Sequence, residues 1–339
     1  MSRDTTAEGT VNLTRRPRGP MSYFPFASKV LTRLVVNQRT APKRQPLPKT
    51  PSDYGMPYRP VEMSSVDGVR LSAWEIPAAN STGLAIVNHP LLCNRYGSVE
   101  GMDGVPVEFL PMVKHLHDAG ISVLTYDQRG QGDSDGGLGK TAKGRQVPVA
   151  AGSTEWMDLV GVLDYLDHHP EFGDHALALV THCMGANAAL SAWRSAPRSF
   201  ESGRVKCFVA VQPTLSYNMM SRLTRDKVGI DLADAVQEAQ RGRFGFGFAD
   251  ALRSIGHVRV PMLFQQVRDD VYTFDEGTGL NDVQVIHDRC PTPKEMIWVG
   301  PNEPIPFGTG KRFEGYGYFN HHPEQLLAFL ARHLGQQSP

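Results

Sequence analysis

The chain's apolar residues fall into two repeating patterns. Short unbroken runs recur at 84–88, 121–126, 175–180, 205–211, 258–267 and 295–299. Compact runs of this kind suit strands buried on both faces of a parallel sheet. Between them, apolar positions step at helical spacing. Residues 109–117 carry one such stripe, and Trp156, Leu159, Val160, Leu163 and Leu166 form another that Pro170 stops. A third, Leu326, Phe329, Leu330 and Leu334, is framed by Pro323 before it and Gly335 after it, a helix start and stop. Residues 61–66 and 70–76 flank Asp67-Gly68 and predict a hairpin. Strands alternating with helices predict an α/β architecture, a mostly parallel eight-stranded sheet with helices on both faces. In such sheets ligands sit at the carboxyl ends of the strands.

Two segments break the pattern. Residues 1–59 form an arm: a polar, basic leader expected to be disordered, a stripe of Phe26, Val30, Leu31, Leu34 and Val35 predicting one amphipathic helix over 24–38, and a Pro- and Lys-rich extended stretch over 41–60. The arm is expected to pack on the main domain, 60–339, or to join two copies as a homodimer. The second segment, 213–257, looks helical in pieces and ends in a flexible stretch with Gly242, Gly245 and Gly247. An ordinary crossover helix with a long loop is the plainer reading of it.

Composition narrows the classes. The 339 residues carry a formal net charge of +0, which argues against a nucleic-acid partner. No apolar run is long enough to span a bilayer, and no apolar stretch follows Arg15, Arg16 and Arg18 to make a signal peptide, so neither membrane nor secretion is expected. The four cysteines, Cys93, Cys183, Cys207 and Cys290, are scattered, giving neither a disulfide framework nor a metal site. A reducing cytoplasm is the expected compartment, with no cofactor and no metal.

The candidate chemistry centres on Thr181-His182-Cys183-Met184-Gly185. A buried strand precedes it and the Ala-rich stretch 186–193, a helix former, follows. The turn between must be tight, with Gly185 and Thr181 at its crowded positions. Cys183 would then sit at a helix N-terminus, where unpaired N–H groups and the macrodipole favour an anion. A buried structural cysteine is the plainer alternative. Strand, sharp turn with a nucleophile, then helix is a nucleophile elbow, written G-x-S-x-G. The stretch resembles the α/β-hydrolase superfamily in the variant with a cysteine nucleophile, as in dienelactone hydrolases. It departs from the pattern in Cys for Ser and Thr for the first Gly. Asp127-Gln128-Arg129-Gly130-Gln131-Gly132-Asp133-Ser134 resembles the family's D-x-R-G-x-G-x-S turn, which implies a scaffolding role for Asp127 and Arg129.

Over residues 61–334 the resemblance implies an α/β-hydrolase fold with 213–257 as a small helical cap. It implies a triad in the order nucleophile, acid, histidine. Asp270 lies where the family's acid lies, with Asp269 beside it as fallback. The base would be His322, directly before Pro323, with its neighbour His321 as the other candidate. His182 is expected to shape the pocket. The implied oxyanion hole is the backbone N–H of Met184 and of Leu91 in His89-Pro90-Leu91-Leu92, since Pro90 has none to donate. Asn88, His89, Asn94, Arg95 and Tyr96 flank that turn and would touch substrate or lock the loop. The expected activity is cleavage of an ester, thioester or lactone of a small-molecule acyl substrate through an acyl-cysteine. Acyl transfer or cyclisation, with a non-water acceptor, is the alternative. A non-catalytic binder that kept the fold is the alternative from another class.

Overall fold

The computed structural model describes residues 25–102, 104–140 and 146–335. The leader expected to be disordered falls largely outside them. Eight strands form one sheet: β1 (Arg59–Ser64), β2 (Arg70–Ile76), β3 (Gly83–Asn88), β4 (Ser122–Tyr126), β5 (Ala176–His182), β6 (Val205–Val211), β7 (Met262–Val267) and β8 (Lys294–Val299). Their order is β1-β2-β4-β3-β5-β6-β7-β8. The two pairings of β2 are antiparallel, and every other pairing is parallel. Strand β7 starts later than the apolar run 258–267 suggests. Val258 closes a turn on Ile255, and Pro261 has no N–H for the ladder.

Both faces of the sheet are covered. Alternate residues of the central strands feed two cores, as the two-residue period of a strand requires. Leu84, Ile86, Leu177 and Leu179 face α3 (Trp156–Asp167), α4 (Met184–Ser195), α7 (Ala251–Ile255) and α8 (Asp282–Asp288). Ala85, Val87, Ala178 and Val180 face α2 (Leu110–Asp118) and α10 (Glu324–Leu334). Among the described residues no helix is long and apolar enough to cross a membrane.

A third apolar cluster lies apart from these cores. Val36 of α1 (Pro25–Thr40) packs with Met220 of α5 (Ser216–Val228) and with Leu232, Ala233 and Val236 at and within α6 (Ala233–Phe244). The arm's helix therefore joins the insertion and does not stand off as a separate piece. Helix α7 belongs elsewhere: Ala251 and Ile255 enter the main core against α4 and α8. An open groove of about 720 Å³ runs between α1 and α6, lined by residues such as Thr32, Arg33 and Glu238 and by none of the predicted site residues.

The extended part of the arm is tied down soon after α1 ends. Asn94 donates through Nδ2 to the carbonyls of Gln45 and Pro46, at 2.9 and 3.0 Å, while its Oδ1 accepts from the backbone N–H of Tyr96 and Gly97. Arg95 pairs with the fully buried Asp127 and with Asp133. Arg129 is held by Asp158 and Asp67. The D-x-R-G-x-G turn thus fixes the loop after β3, and Asn94 and Arg95 serve to lock it.

Gly185 is set by a close approach. A Cβ there would run into the side-chain amide of Asn88, whose Nδ2 donates to the Gly185 carbonyl (3.4 Å) and the Tyr126 hydroxyl (3.3 Å). Gly185→Ala must push Asn88 out of a packed interior. It should lower stability by about 1–3 kcal/mol, the usual cost of overpacking. Denaturant unfolding checks this; Ala186→Gly, a helix-propensity change at the next residue, serves as the control.

Candidate active site

Cys183 occupies the turn between β5 and α4 with φ 47° and ψ −103°. That backbone region is costly for a residue with a Cβ, and such strain persists only where neighbours over-determine it. Here they do. The Cys183 N–H donates to the Val211 carbonyl at 2.8 Å, and its own carbonyl accepts from Asn187 at 2.9 Å. Thr181 Oγ1 donates to the Val209 carbonyl at 3.0 Å. The turn is therefore pinned to β6 on one side and to α4 on the other. Cys183 as a residue is 7 % exposed.

The group beside the sulfur is a guanidinium. Arg312 Nη2 lies 3.5 Å from Cys183 Sγ, and Nη1 forms an ion pair with Asp270 Oδ2. Arg312 Nη2 also donates to the Gln212 carbonyl (3.0 Å), and Gln212 Nε2 donates to the Arg312 carbonyl (2.9 Å). Asp270, fully buried, accepts in addition from Thr273 Oγ1 (2.9 Å), the Tyr272 N–H (3.1 Å) and Gln266 Nε2 (3.4 Å). Burial opposes the charge on Arg312. The ion pair with Asp270 and the Cys183 sulfur beside it more than offset this and hold its pKa well above the ordinary value.

Sulfur, guanidinium and carboxylate form one line, supplied by the elbow, the loop after β8 and the end of β7. Asp270 stands where the sequence expectation puts the acid. His322 is not brought to it. Its ring packs between Phe307 and Tyr318, and its backbone N–H donates to the Tyr318 carbonyl at 2.9 Å. His321 is exposed with its ring against Phe307. Neither hydrogen-bonds Cys183 or Asp270 among the described residues. The reason is local: short helical turns at Glu314–Gly317 and Tyr318–His321 carry the histidines onward, while Arg312 enters the interior ahead of them. Asp269 is exposed.

Arg312 and Tyr316 escaped the sequence reading. Beside Lys311, an arginine in a Gly-rich loop reads as solvated, and only its place between the eighth strand and the last helix pointed to it. Gly315 clamps that loop. Its carbonyl accepts from Gln265 Nε2 at 3.1 Å, and a Cβ there would strike Val267 and Gln212. The Tyr316 phenol faces Cys183. Burial pushes its pKa well above the ordinary range against the pull of Arg312, so it keeps its proton.

The expected oxyanion donors come from adjoining elements. Leu91 packs against Met184, Val149 and Ala151 in one small cluster. The backbone N–H groups of Leu91 and Met184 have no hydrogen-bond acceptor among the described residues. The neighbouring Leu92, at φ 69°, donates its N–H to Gln131 Oε1 at 2.8 Å, which fixes this loop. Cys93, Cys207 and Cys290 are buried thiols that form no disulfide among the described residues. Burial pushes the Cys93 thiol far up and the Cys207 thiol up to about 12. Among the described residues no cluster of three His, Cys, Asp or Glu could hold a metal ion.

The two histidines near the elbow are structural. His89 receives the Gln128 N–H on Nε2 (3.0 Å), so its Nδ1 carries the proton and donates to the Pro90 carbonyl (2.8 Å). His182 Nδ1 lies 2.9 Å from the Asn88 carbonyl, and its ring packs on Phe109 and Tyr316. Burial pushes both down to about 4, so both are neutral at pH 7.

Comparison with known proteins agrees on the fold. A family model described as serine aminopeptidase, S33, matches residues 99–236, a span that includes Cys183 and stops short of Asp270 and Arg312. A polyketide transferase, grgF of a Penicillium species, is 27% identical over 161 residues, covering 47% of this chain and 46% of the relative. The chain thus matches about half the length of the curated relatives it resembles. The Pyrococcus furiosus esterase Pf2001 superposes with a TM-score of 0.63 at 19% identity, over 88% of this chain and 99% of the esterase. A dienelactone hydrolase from Anabaena variabilis does so at 0.51 and 16%, over 82% and 99%. The chain has the α/β-hydrolase fold.

The buried neutral histidines predict an acid response. The unfolded chain takes up a proton on His182 near 6.5, whereas the folded protein refuses it until about 4. Stability from this residue is present above 6.5 and is lost as pH falls toward 4. His182→Gln, which cannot be protonated, should flatten the decline of thermal midpoint between those values. Parallel wild-type and variant curves would show that His182 is not buried neutral.

Proposed function

We propose that the protein is an acyl-transfer enzyme in which Cys183 attacks the carbonyl of an ester, thioester or lactone and carries the acyl group as a thioester. The observation that carries this reading is the Arg312 guanidinium set between Cys183 and Asp270. A fixed positive charge 3.5 Å from Sγ is placed to steady negative charge on the sulfur while the C–S bond forms and breaks. The sulfur lone pair forms the C–S bond while the carbonyl π electrons move onto oxygen, where the Leu91 and Met184 N–H groups would receive the negative charge. As the carbonyl re-forms, the bond to the leaving group breaks and that group departs with the electron pair. A thiolate or a stabilised alkoxide can leave in this way without being protonated first. The Tyr316 phenol is the group in place to donate a hydrogen bond at the sulfur. Asp270 acts through Arg312, holding it in register.

The same geometry favours transfer over hydrolysis. Water attacking an acyl-cysteine needs a base to take its proton, and such a base is worth roughly 10²–10⁴ in rate. A guanidinium stays protonated and has no lone pair to offer. Asp270 is already occupied by Arg312, Thr273, Tyr272 and Gln266. The acyl group is therefore passed to an acceptor that arrives already nucleophilic, such as an amine, a thiolate or a stabilised carbanion. The likeness to a protein named polyketide transferase fits this reading, and the likeness to an esterase fits the first step.

Incubation with activated thioesters should give a stable adduct mass on Cys183, absent in Cys183→Ala, that added amine or thiol discharges much faster than water. Arg312→His, which restores a group able to act as base, should speed hydrolysis of that adduct by about tenfold or more. No adduct with any thioester or lactone would leave the fold as that of a binder.

Alkylation of Cys183 at about pH 6 separates the two partners. It should slow by about tenfold or more in Arg312→Gln and stay unchanged in His322→Ala. The double variant Asp270→Asn/Arg312→Gln removes both buried charges together, avoiding an unpaired Asp270 that would cost about 3–5 kcal/mol, and should slow alkylation equally. A slow His322→Ala with a normal Arg312→Gln would return the base to His322.

A further inference from the structure

A second guanidinium stands near the nucleophile, from an element outside the sheet domain. Thr32, Val36 and Arg39 share one face of α1, spaced by helical turns, and Val36 is buried against α6. Arg39 is thereby turned toward the cap, with its guanidinium carbon 5.0 Å above the Phe248 ring. The residue after it, Thr40, ends the helix. Its carbonyl accepts the Val149 N–H at 2.9 Å, and Val149 packs with Ala151, Met184 and Leu91 around the expected oxyanion donors. Arg39 is thus held over the same side of the elbow, within electrostatic reach of Cys183.

Its hydrogen-bonding is incomplete. Nε and Nη2 are both buried and have no acceptor among the described residues. The nearest acid, Glu155, influences Arg39 but is already committed. It accepts from the N–H groups of Ala150 (2.6 Å), Gly152 (2.7 Å) and Thr154 (3.3 Å). Burial brings Arg39 down to about 10, with Glu155 and Cys183 pulling the other way, so it remains charged at pH 7. Arg39 is only partly buried as a residue, but two covered and unmet donors on one edge of its guanidinium are costly, and the planar fork of arginine suits a carboxylate or phosphate held by two parallel bonds.

We infer that Arg39 is the receptor for an oxyanion, carboxylate or phosphate, carried by the acyl substrate, so that the protein selects acidic acyl compounds. This rests on Cys183 as the reacting atom. It adds a specificity element that the arm supplies to the site from outside the sheet domain, and it makes α1 part of the active site.

The test compares two alkylating reagents of similar size, iodoacetate and iodoacetamide, on the full chain. Arg39→Gln should lower the iodoacetate-to-iodoacetamide rate ratio at Cys183 by about fivefold or more, the scale of one nearby charge at intermediate screening; the ratio cancels any change in thiol reactivity common to both reagents. Arg39→Lys, which keeps the charge, should retain most of the ratio. Glutarate and inorganic phosphate, added separately, should each be examined for a rise in thermal midpoint that Arg39→Gln abolishes; whichever ion gives it identifies the source of the oxyanion. An unchanged ratio in Arg39→Gln overturns the inference. If Cys183 resists both reagents, the acyl-cysteine reading fails by itself, and the midpoint shift then decides: no Arg39-dependent shift with either ion overturns the receptor as well.

Discussion

The buried contact of Arg312 with Asp270 and Cys183 organises the rest of the site. A guanidinium can be taken from water only if nearly every face of it finds a partner. Those partners come from three strand ends: Gln212 after β6, Asp270 after β7 and the elbow after β5. The loop after β8 has to return across all of them to deliver Arg312. This explains why Gln212 is held at φ 50°, and why Gly315, with no room for a Cβ, follows so closely. The ion pair and the loop fold fix one another.

The nature of that cation shapes the chemistry. An imidazole can take a proton from an incoming nucleophile and return it to a leaving group, whereas a guanidinium can only stabilise charge. The two buried histidines closest to the elbow do not replace it. His89 and His182 are neutral and engaged with backbone groups that hold the β3 loop against the elbow. The side chains set against Cys183 thus include a fixed positive charge from Arg312 and a protonated phenol from Tyr316.

Support reaches the site from the N-terminal arm as well as from the sheet domain. The D-x-R-G-x-G turn grips the β3 loop through Asp127 and Arg95, and Asn94 in the same loop ties in the arm at Gln45 and Pro46. At the other end of the arm, α1 completes a small core with α5 and α6, and its last carbonyl meets the loop beside Met184. This small core is thus built from two parts of the sequence far removed from one another.

The sequence by itself determined what depends on local pattern. Periodicity and the Pro and Gly boundaries were enough for the parallel sheet, its covering helices and the last helix from Pro323 to Gly335. The crowded turn around Cys183 was legible because few residue types fit beside such an elbow, and Asp270 because it sits at a strand end. Tertiary structure decided what depends on the path of long loops. Whether His322 or Arg312 enters the interior turns on two short helical turns after β8, and no period or spacing records them. Whether α1 stands free or packs on the insertion depends on an apolar face that α6 supplies from some two hundred residues away. A buried arginine and a solvated one look alike in sequence, because the carboxylate and carbonyls that make burial tolerable come from other strands.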